Sequence, residues 1–421
     1  MIVECANDGT AYNAALTNSH GFALNEKRDI KVVPLYDPLT GEQTDDVETI
    51  FNFVGFVSNE KDDLLAVFPK HFEIKDLEAD SRMVFDCIAQ HMQKRPDLYI
   101  GEKRDETYQS NFPFSAFFGV YDYYQTYGLY FEDVSFVKPN VGGRVKWKDT
   151  ISKGMKFIFG GELYLYPLYY KKNYHFSNFI TSCMVYVIDY TLLKFGVLLD
   201  LQGTGLEFPE IDLLEEKEYV LSILSQLRQQ IFKDNVLSLI DHLIAFFSDV
   251  RKGGNYYLKH YAFSSIWEDM VMEYLCRYFK EVDSRNYLVF DKASPSGLTF
   301  AKKSFHTNAA KPAQYISPDH YSDGGDTQLI FDAKYYSYIG GMNYKQIAYM
   351  FMLREMLDKT TGSKKYANTY TALILPSETR ASKVHFQLAP EYGGTSDLLI
   401  VEEYLDIRDV ITAYLNNKKT I

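Results

Sequence analysis

Cysteine is scarce in this sequence. Four residues, Cys5, Cys87, Cys183 and Cys276, are scattered over 421 positions, and none forms a C-x-x-C pair. That spacing excludes a disulfide framework and reads as reduced thiols in a cytosolic protein. The nine histidines are equally dispersed, and none stands at zinc spacing with a cysteine. Long apolar runs are missing too. The most apolar stretch, from Phe179 to Leu199, carries Asp189, Lys194 and Gly196. It reads as a buried helix and not as a membrane span. The start, Met1-Ile2-Val3-Glu4, has no basic segment leading into an apolar run, so no export signal is expected. The absence of a G-x-x-x-x-G-K-[ST] stretch excludes a P-loop nucleotide site. Ser294-Pro295-Ser296-Gly297 lacks the context of a nucleophile elbow, which leaves a Ser-His-Asp hydrolase without support. Positive charge is also in deficit, with 44 basic against 56 acidic residues and a net charge of −12. A protein held on DNA by bulk electrostatics is usually basic. Action on DNA therefore requires a local basic strip or a partner that holds the nucleic acid.

What is present is globular: 46% hydrophobic and 24% charged residues, in a chain long enough for two or three domains. Aromatics reach 16%, with 35 Tyr and 30 Phe, which suits thick cores and half-buried interfaces. Strands are expected over 51–57 and 64–70, with a polar turn between them, and a loop over 37–41. Leu77, Val84, Ile88 and Met92 predict a helix over 76–94 that stops before Pro96. Aromatic helix pattern follows over 114–127. Val141-Gly142-Gly143 introduces Arg144-Val145-Lys146-Trp147-Lys148, whose alternating charges form either one basic strand edge or a solvated face. Helices fit 175–200, 213–230 and 234–249, and Arg251-Lys252-Gly253-Gly254 is a candidate boundary. The remainder alternates: helix 264–279, strands 287–290, 314–317 and 328–333, helix 343–358, strands 369–375 and 398–403, and a closing helix 407–416. This rhythm predicts an α/β domain with a central mixed sheet flanked by helices, preceded by an α+β amino-terminal region. The expected divisions are 1–175, a helical connector 176–255, and 256–421.

The chemistry-bearing segment is Tyr315-Ile316-Ser317-Pro318-Asp319, then a polar turn, then Leu329-Ile330-Phe331-Asp332-Ala333-Lys334. On a strand, Asp332 and Lys334 share one face and Ala333 takes the other. A hairpin closing through 321–326 brings Asp319 close to Asp332. Two aspartates and a backbone carbonyl such as that of Ala333 are hard oxygen ligands suited to Mg²⁺, with Mn²⁺ as a substitute. Such an ion activates water and polarises a phosphodiester. Lys334 can orient the water, favour its deprotonation or oppose the new negative charge. Glu268, in Ile266-Trp267-Glu268-Asp269, can add a carboxylate, with Glu273 as its rival. Gln346 can bond phosphate or a metal-bound water, Tyr349 can pack or touch strand backbone, and Lys345 can meet phosphate. Lys302, Lys303 and Lys311, with His306 and interleaved Phe300 and Phe305, form the local basic stretch, either a phosphate-tracking surface or a solvated loop. His320, adjacent to Asp319, reads as a surface histidine at a strand end, with contact to substrate as the alternative.

Asp319, Asp332 and Lys334 together resemble the PD-(D/E)xK nuclease superfamily. Phe331-Asp332-Ala333-Lys334-Tyr335-Tyr336 with Tyr344-Lys345-Gln346-Ile347-Ala348-Tyr349 resembles McrC-type subunits of modification-dependent restriction systems. Phe53-Val54-Gly55-Phe56 and Leu65-Ala66-Val67-Phe68-Pro69-Lys70 are similar to the amino-terminal region of those subunits. Gly143-Arg144-Val145-Lys146-Trp147-Lys148-Asp149-Thr150-Ile151 resembles the LlaJI-type restriction endonucleases. Gln346 and Tyr349 lie one residue closer together than in the family. The resemblance implies a metal-dependent endonuclease subunit acting on double-stranded DNA with a separate McrB-like AAA+ GTPase. It also implies that residues 1–175 dock onto that motor, and that DNA capture by another chain accounts for the acidic charge. A non-catalytic activator of the motor and a stand-alone repair nuclease are the alternatives.

Overall fold

The structure, a computed structural model, describes all residues except 1, 37–42, 96–106, 141–143, 177, 210–211, 252–254, 337–338, 396–397 and 417–421. The expected loop at 37–41, Pro96, Val141-Gly142-Gly143 and most of the candidate boundary at 251–254 lie outside the described residues. Two compact units emerge, one formed by Met1–Ser110 with Gly253–Ile421 and the other by Asn111–Lys252. They follow packing, whereas the sequence-based ranges followed expected roles.

The first unit holds two five-stranded sheets. One has the order β1 (Ile2–Asn7), β5 (Leu64–Phe68), β4 (Val54–Ser58), β12 (Tyr257–His260) and β6 (Tyr108–Ser110). The β4 and β5 strands are buried along their whole length, which is why they read as unbroken apolar runs. Beside this sheet, β2 (Ile30–Tyr36) and β3 (Gln43–Phe51) form an antiparallel hairpin. Helices α1 (Ala14–Ser19) and α2 (Leu77–Lys94) belong to the same unit. Asp76 caps α2 by accepting from the Glu78 and Ala79 amides, with Glu78 and Asp80 in the first turn and His91 and Lys94 in the last. Acid at the start and base at the end suit the helix dipole.

The strand β12 is one of several elements that the sequence did not suggest. It pairs with both β4 and β6, and so inserts a segment from late in the chain between two early strands. Gly55, at φ +150°, makes this possible, because a Cβ there would stand 2.0 Å from the Leu258 carbonyl oxygen. Lys259 reaches the buried Asp29 at 2.5 Å, and Tyr261 donates to the other Asp29 oxygen at 2.6 Å. Burial pulls the Lys259 pKa down, and the Asp29 charge opposes that.

The second sheet runs β15 (His320–Gly324), β16 (Thr327–Ala333), β17 (Asn368–Ser377), β19 (Leu399–Asp406) and β18 (Ala381–Gln387). Its outer pairs are antiparallel and its inner pairs parallel, so it is mixed. Helix α8 (Phe263–Tyr278) covers one face, where the Trp267 indole donates to the Ile374 carbonyl at 3.3 Å. Beyond α8, β13 (Phe279–Val282) and β14 (Leu288–Phe290) form a small hairpin, and Phe279 and Phe300 pack on Phe331. Helix α9 (Tyr344–Arg354) covers the other face, with Met350 against Leu373, Leu375 and Ile400, and with Tyr349 and Leu353 against Ile330. Helix α10 (Ile407–Leu415) closes the unit; its Arg408 grips Asp80 through both carboxylate oxygens at 2.5 and 2.7 Å. The expected strand at 314–317 is not one: Ile316 makes an isolated bridge to Phe305, and β15 opens only at His320.

The second unit contains α3 (Phe114–Tyr127), α5 (Phe179–Phe195), α6 (Lys217–Gln230) and α7 (Asp234–Asp249). The abundant aromatics supply its core, where Phe112 meets Phe114, Phe195 and Phe246 at ring separations of 4.7–5.6 Å. The helix expected from 175 begins later, because β11 (Tyr169–Phe176) runs to that point and Asn178 then caps α5. A sheet of β7 (Glu132–Pro139), β11 and β8 (Arg144–Val145) lies beside α4 (Trp147–Lys153). The hairpin of β9 (Met155–Phe159) and β10 (Glu162–Tyr166) forms a separate ribbon in which every β9 side chain is exposed.

The buried Asp29–Lys259 pair gives a stability test. Asp29→Ala is expected to cost about 3–5 kcal/mol in urea unfolding, because Lys259 is left buried without its partner. Asp29→Ala combined with Lys259→Met is expected to recover most of that loss.

Candidate active site

Pairing register builds the site. His320 stands opposite Phe331 and Tyr321 opposite Ile330 across the antiparallel β15–β16 pair. The same register sets Asp319, one residue before β15, opposite Asp332. Alternation puts Asp319, Tyr321, Ile330, Asp332 and Lys334 on the face covered by α9. Parallel pairing extends the row, with Asp332 opposite Leu373 and Leu373 opposite Glu402. Tyr349 of α9 donates to the Ser317 carbonyl at 3.1 Å and so anchors the approach to Pro318-Asp319.

Asp319 is 6% exposed and Asp332 fully buried. The Asp319 pKa is pushed up to about 7, first by burial, then by the hydrogen bond and charge of Asp332, and further by Glu268. Burial also pushes Asp332 upward, but the Asp319 hydrogen bond and the ammonium groups of Lys334 and Lys345 outweigh it and hold this carboxyl below its ordinary value. Asp319 is thus the carboxyl of the pair that its surroundings make harder to ionise, as happens when two carboxyls lie close together. Lys334 pairs with Asp332 directly, and Lys345 reaches it at 3.2 Å. Burial lowers the Lys345 pKa, yet Asp332 and Asp319 more than compensate and raise it. Lys302 bridges Asp319 at 3.4 Å and Glu268 at 3.7 Å. Three ammonium groups thus converge on the two aspartates.

The other expected residues fall in varied places. Glu268, on α8, meets Asp319 through Lys302. Its rival Glu273 pairs with Lys94 instead. Ala333 is buried, its side chain turned to the α8 face. Gln346 is also buried and donates to the Ile330 carbonyl at 2.8 Å and the Ala372 carbonyl at 3.3 Å, clamping α9 onto two strands. Lys303 pairs with Asp323 at 3.3 Å, and Lys311 is exposed in a turn closed on Asn308. Phe300 stacks on Phe331 and Phe305 packs on Tyr321, so both serve the core. The surface reading of His320 is overturned: it is 1% exposed on the α8 face, and burial pulls its pKa down to about 3.

Lys302, expected in a basic stretch, contacts Asp319 and Glu268 in this structure. Sequence reading missed two further residues. Tyr335 accepts the Lys70 amide at 2.8 Å and bonds the Asp8 carboxyl, tying the end of the Asp332 strand to the first sheet. Glu402 is buried and paired with His385 at 2.7 Å. The signal for Glu402 was a Glu-Glu pair inside the apolar run Leu399–Asp406, since charges within such runs are seldom buried unpaired.

Among the described residues, no group of three or more His, Cys, Asp and Glu side chains is arranged to hold a metal ion. The donors present, two facing carboxyls, are hard oxygen groups of the kind suited to an ion that takes few carboxylates and completes its shell with water and phosphate, as Mg²⁺ does.

The carboxyl-terminal half is thus a mixed-sheet α/β domain with two facing aspartates, Asp319 at the entry to β15 and Asp332 on β16, paired to lysines from three segments. A family model described as LlaJI restriction endonuclease matches residues 53–417. The chain belongs to the LlaJI restriction endonuclease family. No curated protein matches it.

Asp319 sets a pH dependence of stability. Its folded pKa, about 7, lies above the ordinary 3.8, so its contribution is complete below pH 3.8 and is lost as pH rises through about 7. Melting temperature without divalent ions is expected to fall over this range relative to Asp319→Asn, which has no proton to lose.

Proposed function

We propose that the chain is a Mg²⁺-dependent deoxyribonuclease subunit of a restriction system, hydrolysing phosphodiesters at a PD-(D/E)xK site. One observation carries this reading: the buried Asp319 and Asp332 face each other across adjacent strands, with Lys334, Lys345 and Lys302 paired to them. Asp319, Asp332 and the Ala333 carbonyl would hold the ion, with Glu268 reaching it once Lys302 moves aside. Bound there, Mg²⁺ or Mn²⁺ would supply a water of lowered pKa and neutralise charge on the phosphate. An ion bound there would require an ionised Asp319, whose pKa is raised to about 7, so ion affinity would fall as pH drops below that value. Lys334, paired with Asp332, would orient the attacking water, favour its deprotonation or oppose the new negative charge. Lys302 and Lys345 exchange carboxylate for phosphate oxygens when double-stranded DNA enters, a local positive site on an acidic protein.

The partner in this reading is a McrB-like AAA+ GTPase, with residues 1–175 as the docking region and the setting cytoplasmic. The β9–β10 hairpin supports it, because Phe157, Ile158, Phe159, Leu163 and Tyr164 are all exposed along one ribbon. Such a patch on a soluble chain marks a surface that another protein covers. No helix among the described residues is long and apolar enough to cross a membrane. The second reading, a non-catalytic activator of the motor, draws on the pairing of only two carboxyls.

Asp332→Asn and Lys334→Ala are expected to reduce cleavage by at least about a hundredfold with Mg²⁺, motor and GTP supplied, while leaving GTPase stimulation unchanged. Undiminished cleavage by either variant contradicts the nuclease reading. Absence of cleavage by the parent chain with either Mg²⁺ or Mn²⁺ favours the activator. Ile158→Asp combined with Phe159→Asp is expected to show the opposite pattern, with GTPase stimulation lost and the melting temperature unchanged.

A further inference from the structure

Strand β18 carries an irregularity beside the face that holds the aspartates. Lys383 pairs with Glu402 and Val384 with Val401, whereas Phe386 pairs with Ile400, so His385 is the extra residue of a β-bulge. Bulges re-aim side chains. Here the extra residue lets Lys383, His385 and Phe386 all serve the face under α9. Lys383 meets Glu402 at 3.0 Å, Phe386 packs in the cluster around Met350 and Leu373, and His385 fits between them.

The His385 ring is held at both nitrogens. Nδ1 lies 2.7 Å from Glu402 Oε1, and Nε2 accepts the Asn343 backbone N–H at 3.1 Å. A nitrogen that accepts a hydrogen bond carries no proton, so the proton sits on Nδ1 and is donated to Glu402. Burial pushes Glu402 upward, but Tyr404, His385 and Lys383 together hold it below its ordinary value and keep it a good acceptor. Asn343 is the cap of α9, its side chain accepting the Gln346 amide at 3.0 Å. The next residues are those that meet the site: Lys345 reaches Asp332, and Gln346 clamps the Ile330 carbonyl.

We propose that His385, oriented by Glu402, is a positioning residue for the aspartate pair. It grips the Asn343 N–H and so fixes the first turn of α9 where Lys345 meets Asp332. The arrangement parallels an outer-shell partner that orients a ligand without touching substrate. Its effect on cleavage rests on the nuclease reading; its effect on the helix does not.

The test compares His385→Leu, which removes both bonds, with His385→Gln, whose amide can donate to Glu402 and accept from Asn343. Amide hydrogen exchange over residues 343–348 and Mg²⁺-dependent DNA cleavage are measured on the full chain with its motor. His385→Leu is expected to speed exchange there about tenfold or more and to lower kcat about 10- to 100-fold with KM for DNA unchanged. His385→Gln is expected to restore both. Where leucine unfolds the sheet edge, His385→Asn replaces it, since its shorter amide reaches Glu402 but not the Asn343 N–H. Unaltered exchange in these variants overturns the proposal, as does faster exchange with unaltered kcat. A parent chain that cleaves nothing sinks the nuclease reading, and the exchange measurement still decides whether His385 holds the turn.

Discussion

The register of the β15–β16 hairpin is the constraint from which the candidate site follows. A slip of one residue would move every β16 side chain to the opposite face, sending Asp332 toward α8 and Phe331 toward α9. Several contacts fix it. Phe331 is packed by Phe279 and Phe300 on one side, and Ile330 by Tyr349 and Leu353 on the other. The Gln328 amide donates to the Leu353 carbonyl and to Thr369, which locks the strand lengthwise as well. The acidic pair sits where it does because apolar neighbours leave it no alternative.

Given that placement, the electrostatics are forced. Two carboxyls held together away from water oppose each other's ionisation, and nearby positive charge relieves that opposition. Ammonium groups from three separate segments supply it, Lys302 ahead of β15, Lys334 just past β16 and Lys345 on α9; Asp332 is held below its ordinary value while Asp319 stays raised. The chain as a whole is acidic, yet three lysines gather at this pair of carboxyls.

Much of this was legible in the sequence, where local pattern decides. The twofold period placed Asp332 and Lys334 on one face, and the helices over 114–127 and 234–249 carry their own apolar stripes. What depended on distant partners was not legible. Tyr257–His260 contains Lys259 and His260, and it is a strand because β4 and β6 pair with it. The β18 bulge depends on the opposing register of β19, which no local signal encodes. Gln346 is a different case. It occupies the same helical stripe as Tyr349, Met350 and Leu353, the spacing of a buried face, so its inward direction was available from periodicity but yielded to the polarity of the amide.

The position of β12 has a consequence for the order of assembly. The first sheet lacks the strand between β4 and β6 until residue 260 has left the ribosome, by which time all of Asn111–Lys252 has been synthesised. Until then β4 has an open edge facing solvent, bordered by buried Phe56 and Val54. In a growing chain β4 would lack its neighbour on that side until the β12 segment emerges, and an unpaired strand edge is where other chains can pair.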